Sequence, residues 1–201
     1  LEVPTTLLTG VSQNGPVSQL CSRGDLKDVK KVLLAGEVNT QIKQRFCTGS
    51  RLAFRADFGG PVGNSDLLFA KLKRKLPELL EEKPACVVLW DYGREMSDER
   101  ILQYVVAETN KADIPLVVDT NRLNWSVFSD PGGHINCLSP NMDVMQHLYV
   151  EKQAPAEKVH QLLLQDYNID RLAITAGPGG LTVAASDEKD VSIVAPTVPV
   201  L

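Results

Sequence analysis

From about residue 84 onward, short apolar runs alternate with stretches of helical period, and a parallel sheet covered by helices is the architecture that accommodates this alternation. The run Ala85-Cys86-Val87-Val88-Leu89-Trp90, bounded by Pro84 and Asp91, predicts a buried strand. A helix is expected next, with Ser97 as N-cap, Asp98 and Glu99 at its positive end, and Ile101, Tyr104, Val105 and Glu108 as its stripe. Ile114-Pro115-Leu116-Val117-Val118 returns as a strand ending at Asp119, which completes a βαβ crossover of ordinary size. Ile135 to Leu138 predicts another strand, after the turn-rich Ser129-Asp130-Pro131-Gly132-Gly133. Helices are predicted from near Asn141 and from Ala156 to Tyr167. Strands Arg171 to Thr175 and Leu181 to Ala185 then flank Gly177-Pro178-Gly179-Gly180.

The first third has a different texture. Leu7-Leu8-Thr9-Gly10 reads as a strand end, Leu26 to Lys31 as short and charged, and Val32-Leu33-Leu34 as apolar. Thr40 to Cys47 and Arg51 to Phe58 alternate apolar and polar residues across Thr48-Gly49-Ser50, the pattern of a β-hairpin outside the main α/β layer. No internal repeat or low-complexity tract accompanies these elements.

Composition narrows the function classes. With 201 residues the chain can bury one substantial core, and 43 % hydrophobic with 23 % charged residues is ordinary for a globular protein. No apolar run approaches the ~20 residues that span a bilayer, so membrane insertion is not expected. A net charge of -4 argues against a nucleic-acid partner, which calls for a basic surface. The cluster Lys71, Lys73, Arg74 and Lys75 alternates with leucines and reads as the solvated face of a helix. Cys21, Cys47, Cys86 and Cys137 show no metal-ligand or disulfide spacing, and His134, His147 and His160 form no ligand pair. Cys86 and Cys137 sit in strand-like runs as free thiols, which with the absence of a signal peptide points to a cytoplasmic setting. The chain starts at Leu1 without an initiator Met and stops on Val198-Pro199-Val200-Leu201, so a fragment of a longer polypeptide is expected.

In open α/β sheets ligands bind beyond the carboxyl ends of the strands. Four sites follow the apolar runs: Asp91-Tyr92-Gly93-Arg94, Asp119-Thr120-Asn121-Arg122, Ser139-Pro140-Asn141 and Thr175-Ala176-Gly177-Pro178-Gly179-Gly180. Singly, each is equally a turn former, a helix N-cap or a tight hairpin connection. Their order resembles the ribokinase (PfkB) carbohydrate kinases, whose central strands end in Asp-x-Asn/Lys, Pro-Asn and Thr-x-Gly-x-x-Gly. Within that family, Leu89-Trp90-Asp91-Tyr92-Gly93-Arg94 is most similar to the Leu-Ser-Asp-Tyr-Gly-Lys-Gly of heptose 7-phosphate kinases, the ADP-heptose synthesis branch. Thr40, Lys43, Arg45, Arg51-Leu52 and Arg55-Ala56-Asp57 resemble the lid segment of the same branch.

The resemblance implies a ribokinase-like three-layer αβα sandwich with a mainly parallel sheet and a small β lid hairpin. Residues 1–201 would form a partial kinase domain with 37–58 as the lid. It implies an ATP-dependent, Mg²⁺-requiring phosphotransferase acting on a hydroxyl of a sugar or sugar phosphate, with a heptose 7-phosphate-like substrate favoured. Thr175, Gly177 and Gly180 would help hold ATP by letting backbone N–H groups approach it, and Asn141 would sit near the phosphates at a helix N-terminus. Lys43, Arg45, Arg51 and Arg55 are candidate binders of an anionic sugar, and equally the charged face of an exposed hairpin. The hairpin edge also suggests a homodimer formed through the lid.

Two departures from the family are visible. Pro-Asn-x-x-Glu becomes Pro140-Asn141-Met142-Asp143-Val144, which removes a glutamate associated with magnesium. The family's Asp-Thr-x-Gly-Ala-Gly-Asp segment, which carries the catalytic Asp, normally follows a strand such as Ala195 to Leu201, and so no catalytic residue is assigned. A non-catalytic kinase-derived binding or assembly module is the rival reading; an unrelated flavodoxin-like domain would share the strands without explaining the loops. Asp57-Phe58-Gly59 spells a protein-kinase triplet, but none of the other protein-kinase motifs accompanies it.

Overall fold

In the computed structural model, which describes residues 3–12, 28–36, 42–49, 51–58, 65–91, 98–129, 133–186 and 188–194, the chain divides into two compact units, Leu1–Leu72 and Lys73–Val200.

The first unit holds strands β1 (Thr5–Ser12) and β2 (Val29–Gly36), paired in parallel from Thr5↔Val29 to Ser12↔Gly36. Leu7 to Gly10 is therefore the middle of a strand rather than its end, and the charged Lys30 and Lys31 are strand residues. The predicted hairpin is present as β3 (Ile42–Thr48) and β4 (Arg51–Phe58), an antiparallel pair with Gly49 in the left-handed region at φ +61°. Thr40 lies outside the described residues. A register shift between Phe46 and Cys47 marks a bulge. Period-two alternation segregates the two faces: Phe46 and Phe54 stack on one at 4.2 Å, while Lys43, Arg45, Arg51 and Arg55 share the other.

Helix α1 (Ser65–Glu81) contains the boundary between the units. Leucines at 68, 72, 76 and 80 recur at four-residue spacing and are all buried, so Lys73 and Arg74 fall on the solvated face, as expected. Lys71 is instead half-buried and donates to the Ala35 carbonyl. Pro77 lies inside this helix and cannot donate to the carbonyl four residues back, that of Lys73. The Tyr104 hydroxyl donates to that oxygen at 3.2 Å.

The second unit contains a six-stranded sheet in the order β10-β9-β8-β7-β6-β5. Its strands are β5 (Val87–Asp91), β6 (Leu116–Thr120), β7 (Cys137–Pro140), β8 (Arg171–Thr175), β9 (Leu181–Ala185) and β10 (Val191–Ile193). β5 to β8 are parallel, and β9 and β10 return antiparallel. Each parallel strand is added on the same side of its predecessor. Right-handed crossovers then place every intervening helix on one face. Those helices are α2 (Glu99–Lys111), the short α3 (Ser126–Ser129), α4 (Met142–Lys152) and α5 (Ala156–Asp166). Alternate strand residues Leu116, Val118, Leu138, Leu172, Ile174 and Ala184 join Leu102, Val106, Met145, Leu148, Val159 and Leu163 of the helices in one core.

The mainly parallel α/β class is as expected, with two local corrections. The first strand starts at Val87, not Ala85, and is only half a core strand: Val88 is 60 % and Trp90 68 % exposed. The cause is topological, because β5 is an edge of this sheet and those two residues face away from α2–α5. Cys86 consequently precedes the strand and is exposed. The second correction concerns α2. Its N-cap is Asp98, which accepts from the Arg100 N–H, while Ser97 lies outside the described residues. The buried stripe of α2 runs through Ile101, Leu102, Val105, Val106 and Thr109, leaving Tyr104 and Glu108 at its margin. Among the described residues no helix is long and apolar enough to cross a membrane.

Candidate functional site

Parallel register fixes where the strand ends meet. Asp91, the last residue of β5, is partnered with Thr120 at the end of β6; Thr120 is partnered with Pro140 at the end of β7; and Asn141 bridges to Thr175 at the end of β8. The residues that sequence order singled out thus lie side by side along one edge of one sheet, where the crevice of an open α/β sheet forms. Tyr92, Gly93 and Arg94 lie outside the described residues.

Asn141 caps α4. With φ -85° and ψ 166° it stands outside the helix, and its Oδ1 accepts from the Val144 N–H at 2.9 Å. The N-terminus of this 11-residue helix, with its positive dipole end, therefore opens beside Thr175. Val144, where the motif this stretch resembles has glutamate, is only 5 % exposed and belongs to the core. Asp143 lies in the first turn and is exposed. Among the described residues no group of three His, Cys, Asp or Glu could hold a metal ion.

Thr175 is exposed, and the chain after it makes a single 3₁₀ turn, Gly177–Gly179, before β9. Gly177 at φ +54° and Gly180 at φ +91° adopt backbone conformations that L side chains rarely take, which accounts for glycine at both. Within the turn, the Ala176 N–H donates to Gly180 O at 2.9 Å, that of Gly179 to Ala176 O at 2.9 Å and that of Gly180 to Gly177 O at 3.0 Å. Those three N–H groups are thus bonded within the turn, and a Cβ on Gly177 would meet nothing within 4 Å.

The β5 and β6 ends are joined by an ion pair that sequence reading did not find. The Arg122 Nε donates to Asp91 Oδ2; the carboxylate is wholly buried and the Arg122 side chain 20 % exposed. Thr120 Oγ1 donates to the same carboxylate at 3.2 Å and accepts from the Arg122 N–H at 3.1 Å. The carbonyl of Arg122 accepts from the indole of fully buried Trp125 at 2.8 Å. Beside this cluster, the Trp90 indole N–H donates to Asp119 Oδ2, its cross-strand partner.

The four hairpin cations belong to the first unit and are exposed on one face of β3–β4. Arg45 stands directly opposite Arg55, and Lys43 opposite Asp57. Arg55 pairs with Asp57 at 2.9 Å.

A second buried polar group lies apart from the strand ends. His160 of α5, almost fully buried, bonds Tyr149 of α4 through Nε2 at 2.6 Å and Asp190, just before β10, through Nδ1 at 2.7 Å. Burial, then the Asp190 carboxylate, push the Tyr149 phenol above its usual range. Cys137 of β7 is half-buried, and its thiol is pushed up by burial, opposed by Arg171.

No protein-family model matches the chain. It is similar to the bifunctional protein HldE of Methylobacillus flagellatus, 26 % identical over 151 residues that cover 72 % of this chain and 29 % of that protein. Its identity to HldE of Helicobacter acinonychis is 25 % over 167 residues, covering 80 % and 34 %. The chain thus spans about a third of the length of these curated relatives. Among solved structures, phosphofructokinase-2 from Escherichia coli in complex with fructose-6-phosphate superposes with a TM-score of 0.70 at 18 % identity, covering 96 % of this chain and 63 % of that one. Ribokinase from Giardia lamblia does so with a TM-score of 0.69 at 10 % identity, covering 95 % and 60 %.

Proposed function

We propose, from the premise that this chain has the ribokinase-like fold and is similar in sequence to HldE, that it belongs to an ATP-dependent phosphotransferase acting on a sugar or sugar-phosphate hydroxyl. The observation that carries this reading is the register that brings Thr120, Pro140, Asn141 and Thr175 into one line, with the N-terminus of α4 and the open Gly177 turn beside them. A helix N-terminus suits phosphate, and Asn141 and Thr175 supply side chains to orient it. Gly177 and Gly180 keep the adjoining turn thin enough for a nucleotide to lie against it. Mg²⁺ would arrive on the nucleotide phosphates, which is where this ion keeps most of its ligands in such enzymes.

The acceptor favoured is a heptose 7-phosphate-like sugar. Lys43, Arg45, Arg51 and Arg55 share one face of the hairpin, and the direct Arg45–Arg55 opposition is unfavourable unless an anion or a neighbouring carboxylate offsets it. The other face, with Phe46, Phe54, Leu52 and Phe58 exposed, suits pairing with a second copy of the chain, so a homodimer through the lid is part of the proposal. A cytoplasmic setting is proposed with it.

The test is a thermal-shift titration of the intact protein with ATP and magnesium. Stabilisation that grows with nucleotide concentration is expected, and none at millimolar ATP overturns the reading. Sizing that returns only monomer removes the dimer. Buried Val144 in place of a glutamate favours a second reading, a kinase-derived binding module without catalysis. ATP binding with no transfer of labelled phosphate to any sugar phosphate would establish that one instead.

A further inference from the structure

We propose that Trp90 is the stacking platform for the ring of the sugar acceptor, a reading that rests on the sugar-kinase function proposed above. A tryptophan with 68 % of its surface open is unusual in the penultimate position of a sheet strand, and this one is not loose. Its indole N–H donates to Asp119, the residue opposite it on β6, so the polar handle is satisfied. What stays available is the ring face, whose negative quadrupole complements the C–H edges that one side of a sugar ring presents. The kinase motif that this stretch resembles has serine here, so the indole is a property of this chain.

Position selects the sugar over the adenine base. If phosphates lie at the N-terminus of α4 and the nucleotide at the Gly177 turn, the donor occupies the ends of β7 and β8. Trp90 is on β5, three strands from β8, about 14 Å away at ordinary strand spacing. The acceptor must approach from the side opposite the leaving nucleotide, which is the β6–β5 side, for in-line transfer.

Of the two tryptophans in these 201 residues Trp125 is fully buried, and the iodide-accessible emission that Trp90→Phe removes isolates the signal of Trp90. The probes are D-glycero-D-manno-heptose 7-phosphate, fructose 6-phosphate and ribose, each with and without Mg·ATP, on the intact protein, with binding measured by calorimetry. At least one sugar is expected to bind and to shield Trp90 from iodide. Trp90→Ala should weaken that sugar by roughly tenfold and Trp90→Phe by less, with Mg·ATP affinity unchanged in both. Sugar binding that leaves Trp90 accessible, or that is equally tight in Trp90→Ala, overturns the platform alone. Mg·ATP binding with no sugar bound overturns the acceptor half of the proposed function and the platform with it. Trp90→Phe, which preserves an aromatic ring on the strand, keeps the comparison usable if the alanine variant misfolds.

Discussion

Arg122 reaches back across 31 residues of sequence to place its Nε on the carboxylate of Asp91, and that carboxylate has no exposed surface. Removing the cation leaves the buried carboxylate without its Arg122 partner, whereas removing both side chains leaves no buried charge of the pair behind. Arg122→Met is therefore expected to destabilise the protein by about 3 kcal/mol, and the double variant Asp91→Leu/Arg122→Met by clearly less. Urea unfolding of the single and double variants checks this. Equal losses would mean that the carboxylate left behind by Arg122→Met carries no buried-charge penalty.

Gly133, two residues before Ile135, lies against the backbone of α3. A Cβ there would lie 2.3 Å from the Phe128 carbonyl oxygen and 3.1 Å from Val106 Cγ1, and a main-chain oxygen cannot swing aside. Gly133→Ala should cost about 1–3 kcal/mol through overpacking. Gly177→Ala meets no neighbour and should cost roughly 1–2 kcal/mol through its positive φ alone. Rescue distinguishes the two mechanisms: Val106→Ala opens only the side-chain contact at Gly133, so it should restore little.

Sequence pattern made the second unit legible because its cause is local. Runs such as Leu116 to Thr120 are buried every other residue, and a strand-length apolar run between turn formers reports that directly. The hairpin was legible for the same reason, since period two and Gly49 at a left-handed turn are both written in adjacent residues. Trp90 and Val88 were read as buried because burial of a strand depends on what lies beside it, and edge position follows from strand order. The Asp91–Arg122 pair and the Tyr149–His160–Asp190 chain join residues brought together by crossovers, and no spacing rule announces them. The hydrogen bonds inside the Gly177 turn are a different case: glycine marks where the backbone bends, but not which N–H groups the turn itself engages.

Tyr149 gives a pH signature. Its phenol is held above the ordinary value near 10 by burial first and the Asp190 carboxylate second. The folded state therefore keeps its proton in a window where the unfolded chain has released it. Stability from this group is complete below pH 10 and is lost as pH rises toward the folded-state value. Phenolate absorbance should show the Tyr149 phenol ionising above the ordinary tyrosine value, as should that of Tyr104, which burial and then Glu108 also push up. Tyr149→Phe should flatten the alkaline fall in urea stability. An unchanged slope would show that Tyr149 titrates alike in the folded and unfolded chains.

Asn141 has two roles that one substitution can separate. Its Oδ1 caps α4 through the Val144 N–H, and its position beside Thr175 puts it among the proposed phosphate contacts. Asn141→Ala removes both, so about 1 kcal/mol of stability and part of the ATP affinity should go together. Asn141→Asp keeps a good N-cap, and its charge interacts well with the helix dipole, so stability should be retained or slightly raised. The same carboxylate would stand against bound phosphate and should weaken Mg·ATP more than alanine does. Urea midpoints and nucleotide titrations on the two variants give opposite rankings if Asn141 faces phosphate. If Asn141→Asp binds ATP as the parent does, Asn141 is a helix cap only, and the phosphates lie elsewhere along the strand ends.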